Sequence, residues 1–243
     1  MRKLMFLMAV CLWPVAGWAQ ENDDDEYQTE FLYGINFNTN AGLIGGLVFR
    51  YSVVVNPKMR QTFGLEIVNV KNPKELRISS GANGNSYVSG KSNYLFSVRP
   101  QYGREILLFQ KAPDEGVRIS AVGAVGPSIG VVKPYFIAYQ YGNGDIRVEQ
   151  YDPAIHGGTA GGQNSGIVGS SGWTRFDGTQ LAVGIHAKVG LGFELGGFRS
   201  SATGFEVGYL TEAFSRKIVI MPLTQNRSVF HSVYLNIYFK NKR

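Results

Sequence analysis

Several places in this sequence bring together residue types that catalysis or ligand binding uses. His231 and Ser232 form the only adjacent His–Ser pair, the raw material of nucleophilic hydrolysis. On a strand, successive side chains point to opposite faces, so this imidazole and hydroxyl are not placed to hydrogen-bond. The expectation is a lone histidine near an interface. Gly84 to Ser92 ends in Gly90-Lys91-Ser92, but its glycine spacing is one residue too long for a phosphate-binding loop, and a polar loop is expected. His156 and Asp152 share one segment, and two such residues do not make a metal site. The single cysteine, Cys11, lies in an apolar N-terminal stretch and follows Val10, which does not suit lipidation. No catalytic residue, cofactor site or metal site is expected.

A larger set of polar residues shares a pattern. Arg50, Glu66, Arg99, Gln101, Arg118, His186, Lys188, Glu194 and Glu206 each alternate with apolar neighbours. Gathered inside a closed barrel they would form one polar lumen, with four cations facing three carboxylates. An eight-stranded barrel is only wide enough for side chains to fill, and buried charges are costly unless paired. A salt-bridged plug is the expected arrangement; a narrow ion or proton path through His186 and Glu194 is the alternative.

Strands must position these residues, and period two runs through the chain. Phe31, Tyr33, Ile35 and Phe37 alternate with Leu32, Gly34, Asn36 and Asn38. The clearest run, Leu181 to Leu195, sets Val183, Ile185, Ala187, Val189, Leu191 and Phe193 against Gly184, His186, Lys188, Gly190, Gly192 and Glu194. Eight such runs give one apolar and one polar face per strand, and several reach the roughly 9–11 residues of a tilted membrane-crossing strand. Connections alternate in length. Asn56 to Arg60, Gln110 to Gly116 and Gly197 to Ala202 are short; Lys71 to Ser92, Val131 to Gly178 and Phe214 to Arg227 are long; Thr39 to Gly42 is the exception. Short turns on one side and long loops on the other are the asymmetry of outer-membrane barrels. The expected fold is therefore all-β: an antiparallel, up-and-down transmembrane β-barrel of about eight strands. Tyr135 to Tyr141 and Ile146 to Tyr151 flank the turn Gly142-Asn143-Gly144-Asp145, which would make ten strands if the hairpin joined the barrel. Gly157 to Gly172 reads as a mobile loop. Tyr135, Tyr139, Tyr141, Tyr151 and Trp173 crowd the longest external loop, 131–178, either as an interfacial belt or as a contact surface for protein or glycan.

Composition agrees. Glycine is abundant at 31 of 243 residues, with 13 Tyr and 15 Phe, and charged residues are 17% against an average of about 25%. Arg2 and Lys3 followed by apolar Leu4 to Val15 and by Gly17-Trp18-Ala19 read as a secretory leader over 1–19. Its removal lowers the net charge from +6 to +4, which does not argue for nucleic acid. An acidic periplasmic tail, 20–29, with Asp23 to Glu26, would precede the barrel at 30–243.

The leader, the eight runs and the C-terminal Tyr234-Leu235-Asn236-Ile237-Tyr238-Phe239 resemble the small outer-membrane barrel superfamily that includes OmpA and OmpX. The Gly- and Tyr-rich texture resembles the PorT-like barrels of gliding and type IX-secreting bacteria. The terminal strand resembles the signal read by the barrel-assembly machinery, with the departure that Lys240 to Arg243 follow the aromatic Phe239. The resemblance implies the outer membrane of a diderm bacterium, with lipid and the assembly machinery as partners. It also implies a structural or partner-binding role accessory to secretion or surface assembly, another envelope protein or a glycan meeting the external loops. An enzyme acting on outer-leaflet lipid and a small channel are the rival classes.

Overall fold

A computed structural model describes residues 29–80, 85–110, 117–156, 166–171, 174–195 and 201–242. The leader, the acidic tail and Trp173 lie outside the described residues. Eight long strands close into one antiparallel ring: β1 (Thr29–Asn38), β2 (Gly42–Asn56), β3 (Met59–Val70), β6 (Asn93–Phe109), β7 (Arg118–Pro134), β11 (Gln180–Leu195), β12 (Ser201–Ile218) and β13 (Arg227–Lys242). Each pairs with its neighbours in chain order, and β1 closes on β13 from Glu30↔Lys242 to Asn38↔Tyr234. The architecture is the up-and-down, eight-stranded barrel that the alternation implies.

The alternation sets which side chains face where. On β11, Leu181, Val183, Ile185 and Val189 are exposed, whereas Ala182, His186 and Lys188 are buried. The same inversion holds round the ring: Phe63, Ile129, Val207 and Ile237 face out while Glu66, Ser128, Glu206 and Asn236 are sealed in. Glycines on the inner face leave room for lumen side chains. At Gly190 and Gly208 the Tyr234 hydroxyl lies only 2.6 Å from where a Cβ would stand.

The start of β1, the end of β13, the turn after β2 and the last residues of β6 and β11 lie at one end, called here the turn end; the other is the loop end. Pro57 and Lys58 alone connect β2 to β3. The loop-end structure decides one open alternative and departs from expectation in two respects. First, the barrel has the expected eight strands, and the ten-stranded alternative falls. The hairpin β8 (Phe136–Gln140) and β9 (Ile146–Gln150) instead joins β10 (Ile167–Ser171) in a separate three-stranded sheet of order β10-β8-β9. Its turn is the expected one, with Gly144 at φ 84° and Tyr141 N–H donating to the Asp145 carbonyl at 2.9 Å. Second, residues 167–171, expected in a mobile Gly-rich loop, are the strand β10, and a short helix, α1 (Pro153–His156), precedes them. Third, β12 continues to Ile218, so much of Phe214 to Arg227 is wall rather than loop. The remaining strands, β4 (Arg77–Ser79) and β5 (Ser86–Val88), form a hairpin in the 71–92 connection.

Candidate functional site

The lumen is stacked in three levels. Nearest the turn end, Lys240 Nζ lies 3.1 Å from Glu30, 3.1 Å from Glu194 and 3.7 Å from Glu105. Arg60 reaches Glu30 at 3.4 Å and Arg118 reaches Glu194 at 4.0 Å. At mid-height Glu206 accepts from Arg50 at 2.6 Å and from the Tyr234 hydroxyl at 2.8 Å. Lys188 bridges Glu66 at 2.5 Å and Glu206 at 3.4 Å, and Gln101 Nε2 donates to Glu66 at 3.3 Å. Higher still, Arg99 grips Glu212 through two hydrogen bonds of 2.9 and 2.6 Å, and Ser97 donates to the same carboxylate. His186 Nδ1 meets Ser128 Oγ at 3.1 Å.

All nine residues picked out by alternation line this lumen. Sequence reasoning missed Glu30, Arg60, Glu105, Glu212 and Lys240, which lie outside the alternating runs; Glu212 is well inside β12 and the others are nearer strand ends. With them, six carboxylates (Glu30, Glu66, Glu105, Glu194, Glu206, Glu212) face six cations (Arg50, Arg60, Arg99, Arg118, Lys188, Lys240). Matched charge with several hydrogen bonds per carboxylate is what offsets the desolvation of buried ions. The pairs also act as cross-braces. Arg50–Glu206, Lys188–Glu66 and Arg99–Glu212 each join strands three positions apart round the ring.

Above the charges sits an apolar stopper. Val68, Val70, Leu95, Val132, Ala182, Phe214, Ile218, Ile220 and Met221 pack as one buried cluster, with Phe230 against it. Ion passage would have to cross this layer as well as the salt bridges.

The loop-end cap has its own core. Tyr135 and Tyr151, expected at an interfacial belt or contact surface, are 2% and 6% exposed and pack with Tyr87, Ile137 and Ile167. The reason is the three-stranded sheet, which folds back over the β4–β5 hairpin; Val88 N–H donates to the Tyr135 hydroxyl at 2.9 Å. Tyr139 packs at the edge of that core, its ring 5.0 Å from Tyr141 and 4.8 Å from His156. Tyr141 donates to Glu149 at 2.6 Å. His156 is buried, accepts from Asp152 N–H at 2.9 Å and meets Glu149 at 3.0 Å, a pattern that assigns its proton to Nε2. Hydrogen bonds from Tyr141 and then His156 hold the Glu149 carboxyl below the usual carboxylate range. Lys91, in the segment that superficially fits a phosphate loop, is buried and tied to Glu75 at 2.8 Å; the loop is pinned shut on its own lysine.

His231 faces outward and Ser232 inward, so the two do not meet. The imidazole instead engages the Tyr209 hydroxyl at 2.9 Å and Thr211 Oγ1 at 3.2 Å. Among the described residues, no three His, Cys, Asp or Glu side chains are grouped to hold a metal ion.

Wall, filled interior and cap define a closed, eight-stranded β-barrel with a plugged lumen, the architecture of the small barrels that the sequence pattern resembles. No family model matches the chain, and no curated protein matches it in sequence. Among solved structures it is similar to neisserial surface protein A, with 8% identity, 88% of this chain and 96% of that one covered, and a TM-score of 0.40. It is also similar to Ail, the attachment invasion locus protein of Yersinia pestis, with 8% identity, 90% and 99% covered, and a TM-score of 0.43.

Proposed function

We propose that this chain is an integral outer-membrane barrel of a diderm bacterium, exported by its leader, and that it works by binding a partner through its loop-end cap. The observation that carries the membrane reading is the inside-out wall: apolar side chains cover the outer face of a closed ring while charges fill its interior. Soluble monomers rarely expose an apolar patch beyond a few hundred Å². A closed barrel is also the one sheet that satisfies every strand backbone group in lipid. With short turns in the periplasm, the cap stands outside the cell.

The lumen supports a structural role rather than transport, since braced ion pairs and the apolar stopper occupy it. The cap supports partner binding: it is a folded platform with a core of its own, far larger than chain closure requires. A protein or glycan of the envelope fits that surface, and a role accessory to secretion or surface assembly follows from the PorT-like texture. Outer-membrane fractionation with gel migration tests the proposal. The folded protein should sediment with the outer membrane and migrate faster unboiled than boiled. A soluble periplasmic product with no heat-dependent shift would refute it.

A further inference from the structure

The first hairpin is the only short connection among the described loop-end links, and it leaves a gap in the wall. β1 ends at Asn38, opposite Tyr234, whereas β13 begins at Arg227. Just above the last rung, Thr39 N–H donates to the Val233 carbonyl at 3.1 Å and Asn40 Nδ2 to the His231 carbonyl at 2.9 Å. Backbone groups two residues apart point the same way, so Val229 presents its N–H and carbonyl to this side. Among the described residues no strand pairs with it there. This is a short open edge in an otherwise closed ring.

A groove of about 220 Å³ occupies the gap. Lys71 and Lys74 of the connection after β3 line one side, and Arg227 and the β13 edge line the other. None of these three cations forms an ion pair among the described residues, although every lumen cation does. Below the groove the outward face runs from Val229 past the exposed His231, which also lines the groove, to the apolar and exposed Val233 and Leu235. The site thus combines unpaired positive charge, free backbone donors and acceptors, and an apolar track leading down the wall. Its volume lies below the roughly 300–1,000 Å³ of a drug-sized pocket, too small for a folded partner and suited to one headgroup.

We propose that this groove binds the phosphorylated sugar headgroup of an outer-leaflet glycolipid. The phosphate meets Lys71, Lys74 and Arg227; sugar hydroxyls meet the open β13 edge; an acyl chain lies along Val233 and Leu235. The proposal rests on the outer-membrane reading, which places this rim at the headgroup level of the outer leaflet.

The test uses the full mature barrel folded in mixed micelles, titrated with bisphosphorylated lipid A and with the same glycolipid after phosphatase treatment. Heat-dependent gel migration is scored in parallel for each variant. Wild type should prefer the phosphorylated form by about tenfold to a hundredfold, the scale of a few cations at a lipid surface. The triple variant Lys71→Gln/Lys74→Gln/Arg227→Gln should lose that preference while still folding, and Lys58→Gln/Arg104→Gln, at the turn end, should retain it. Equal preference in the triple variant, or none in wild type, would overturn the site. Complete competition by inorganic phosphate would also overturn it, since a free anion would then suffice. A protein that never inserts or shifts on heating would instead break the outer-membrane reading itself.

Discussion

Arg50 on β2 and Glu206 on β12 meet at 2.6 Å inside the barrel, their side chains 4% and 1% exposed. The pair joins two strands that share no backbone hydrogen bond, so it ties the wall across the lumen between strands three positions apart. Lys188 and Tyr234 complete the shell of the carboxylate.

Removing one partner should be worse than removing both. Glu206→Gln leaves Arg50 buried without its counter-charge, a change that typically costs about 3–5 kcal/mol. Arg50→Met/Glu206→Met keeps volume and removes both charges, although Lys188 then leans on Glu66 alone; a smaller loss is expected. Urea unfolding of the barrel in lipid measures both, and equal midpoints for wild type and Glu206→Gln would mean that the brace contributes nothing.

Gly208 tests how tightly the lumen is filled. A Cβ there would meet the Val189 carbonyl and the Tyr234 hydroxyl. Gly208→Val should cost about 1–3 kcal/mol by overpacking, and Tyr234→Phe should not rescue it, because the backbone contact remains. A fully stable Gly208→Val barrel would show that both the β11 backbone at Val189 and Tyr234 have room to move aside.

The plug should also be visible electrically. In planar bilayers the purified barrel should carry little steady current, because ion pairs and the stopper lie in series. Stable openings of porin size would contradict the filled lumen.

Acid should loosen the cap before the wall. Glu149 is held below the ordinary carboxylate range by Tyr141 and His156, so it releases its proton more readily folded than unfolded. Its contribution is present above the unfolded value of about 4.3 and fades as pH falls through the lower folded value. Hydrogen exchange across β8, β9 and α1 should rise below that range, and Glu149→Gln should abolish the pH dependence. Exchange unchanged by acid would remove Glu149 as the pin.

Replacing residues 135–172 by a short Gly-Ser link should leave a heat-shifting barrel that no longer complements deletion of the gene. Tyr87 loses its cover in that variant, so Tyr87→Ser belongs with it. Full complementation by the folded form would move the activity to the lumen, the outer wall or the periplasmic side.

Wall phase was legible in the sequence because lipid outside and charge inside enforce strict alternation, as from Leu181 to Leu195. Strand ends were not. Lys240 continues the inward face one step beyond Tyr238, but it follows the aromatic that usually closes such a strand, so extending the period by one residue would have found it. At the loop end, Val68, Val70, Phe214 and Ile218 are apolar on the inner face, so the polar marker of the lumen vanishes, while Ser215, Arg216 and Lys217 of β12 are polar and exposed, as in a loop. That is why β12 reads as ending early. The cap was opaque for another reason: Tyr135 and Tyr151 are buried by contacts with Tyr87, distant in the chain, which no local periodicity reports.

The most direct test of the inside-out wall exploits the single cysteine of the chain, Cys11, which lies within the expected leader. Val189→Cys, on the outward face of β11, and Val148→Cys, on β9 of the cap, are each labelled with an environment-sensitive fluorophore in the mature barrel. Both native side chains are exposed, at 63% and 39%, so exposure alone does not separate them. In bilayers containing brominated lipid, the label at 189 should emit as if in hydrocarbon and be quenched, while the label at 148 should emit as if in water and not be quenched. A label at 189 that reads as aqueous and escapes quenching would contradict the membrane barrel outright.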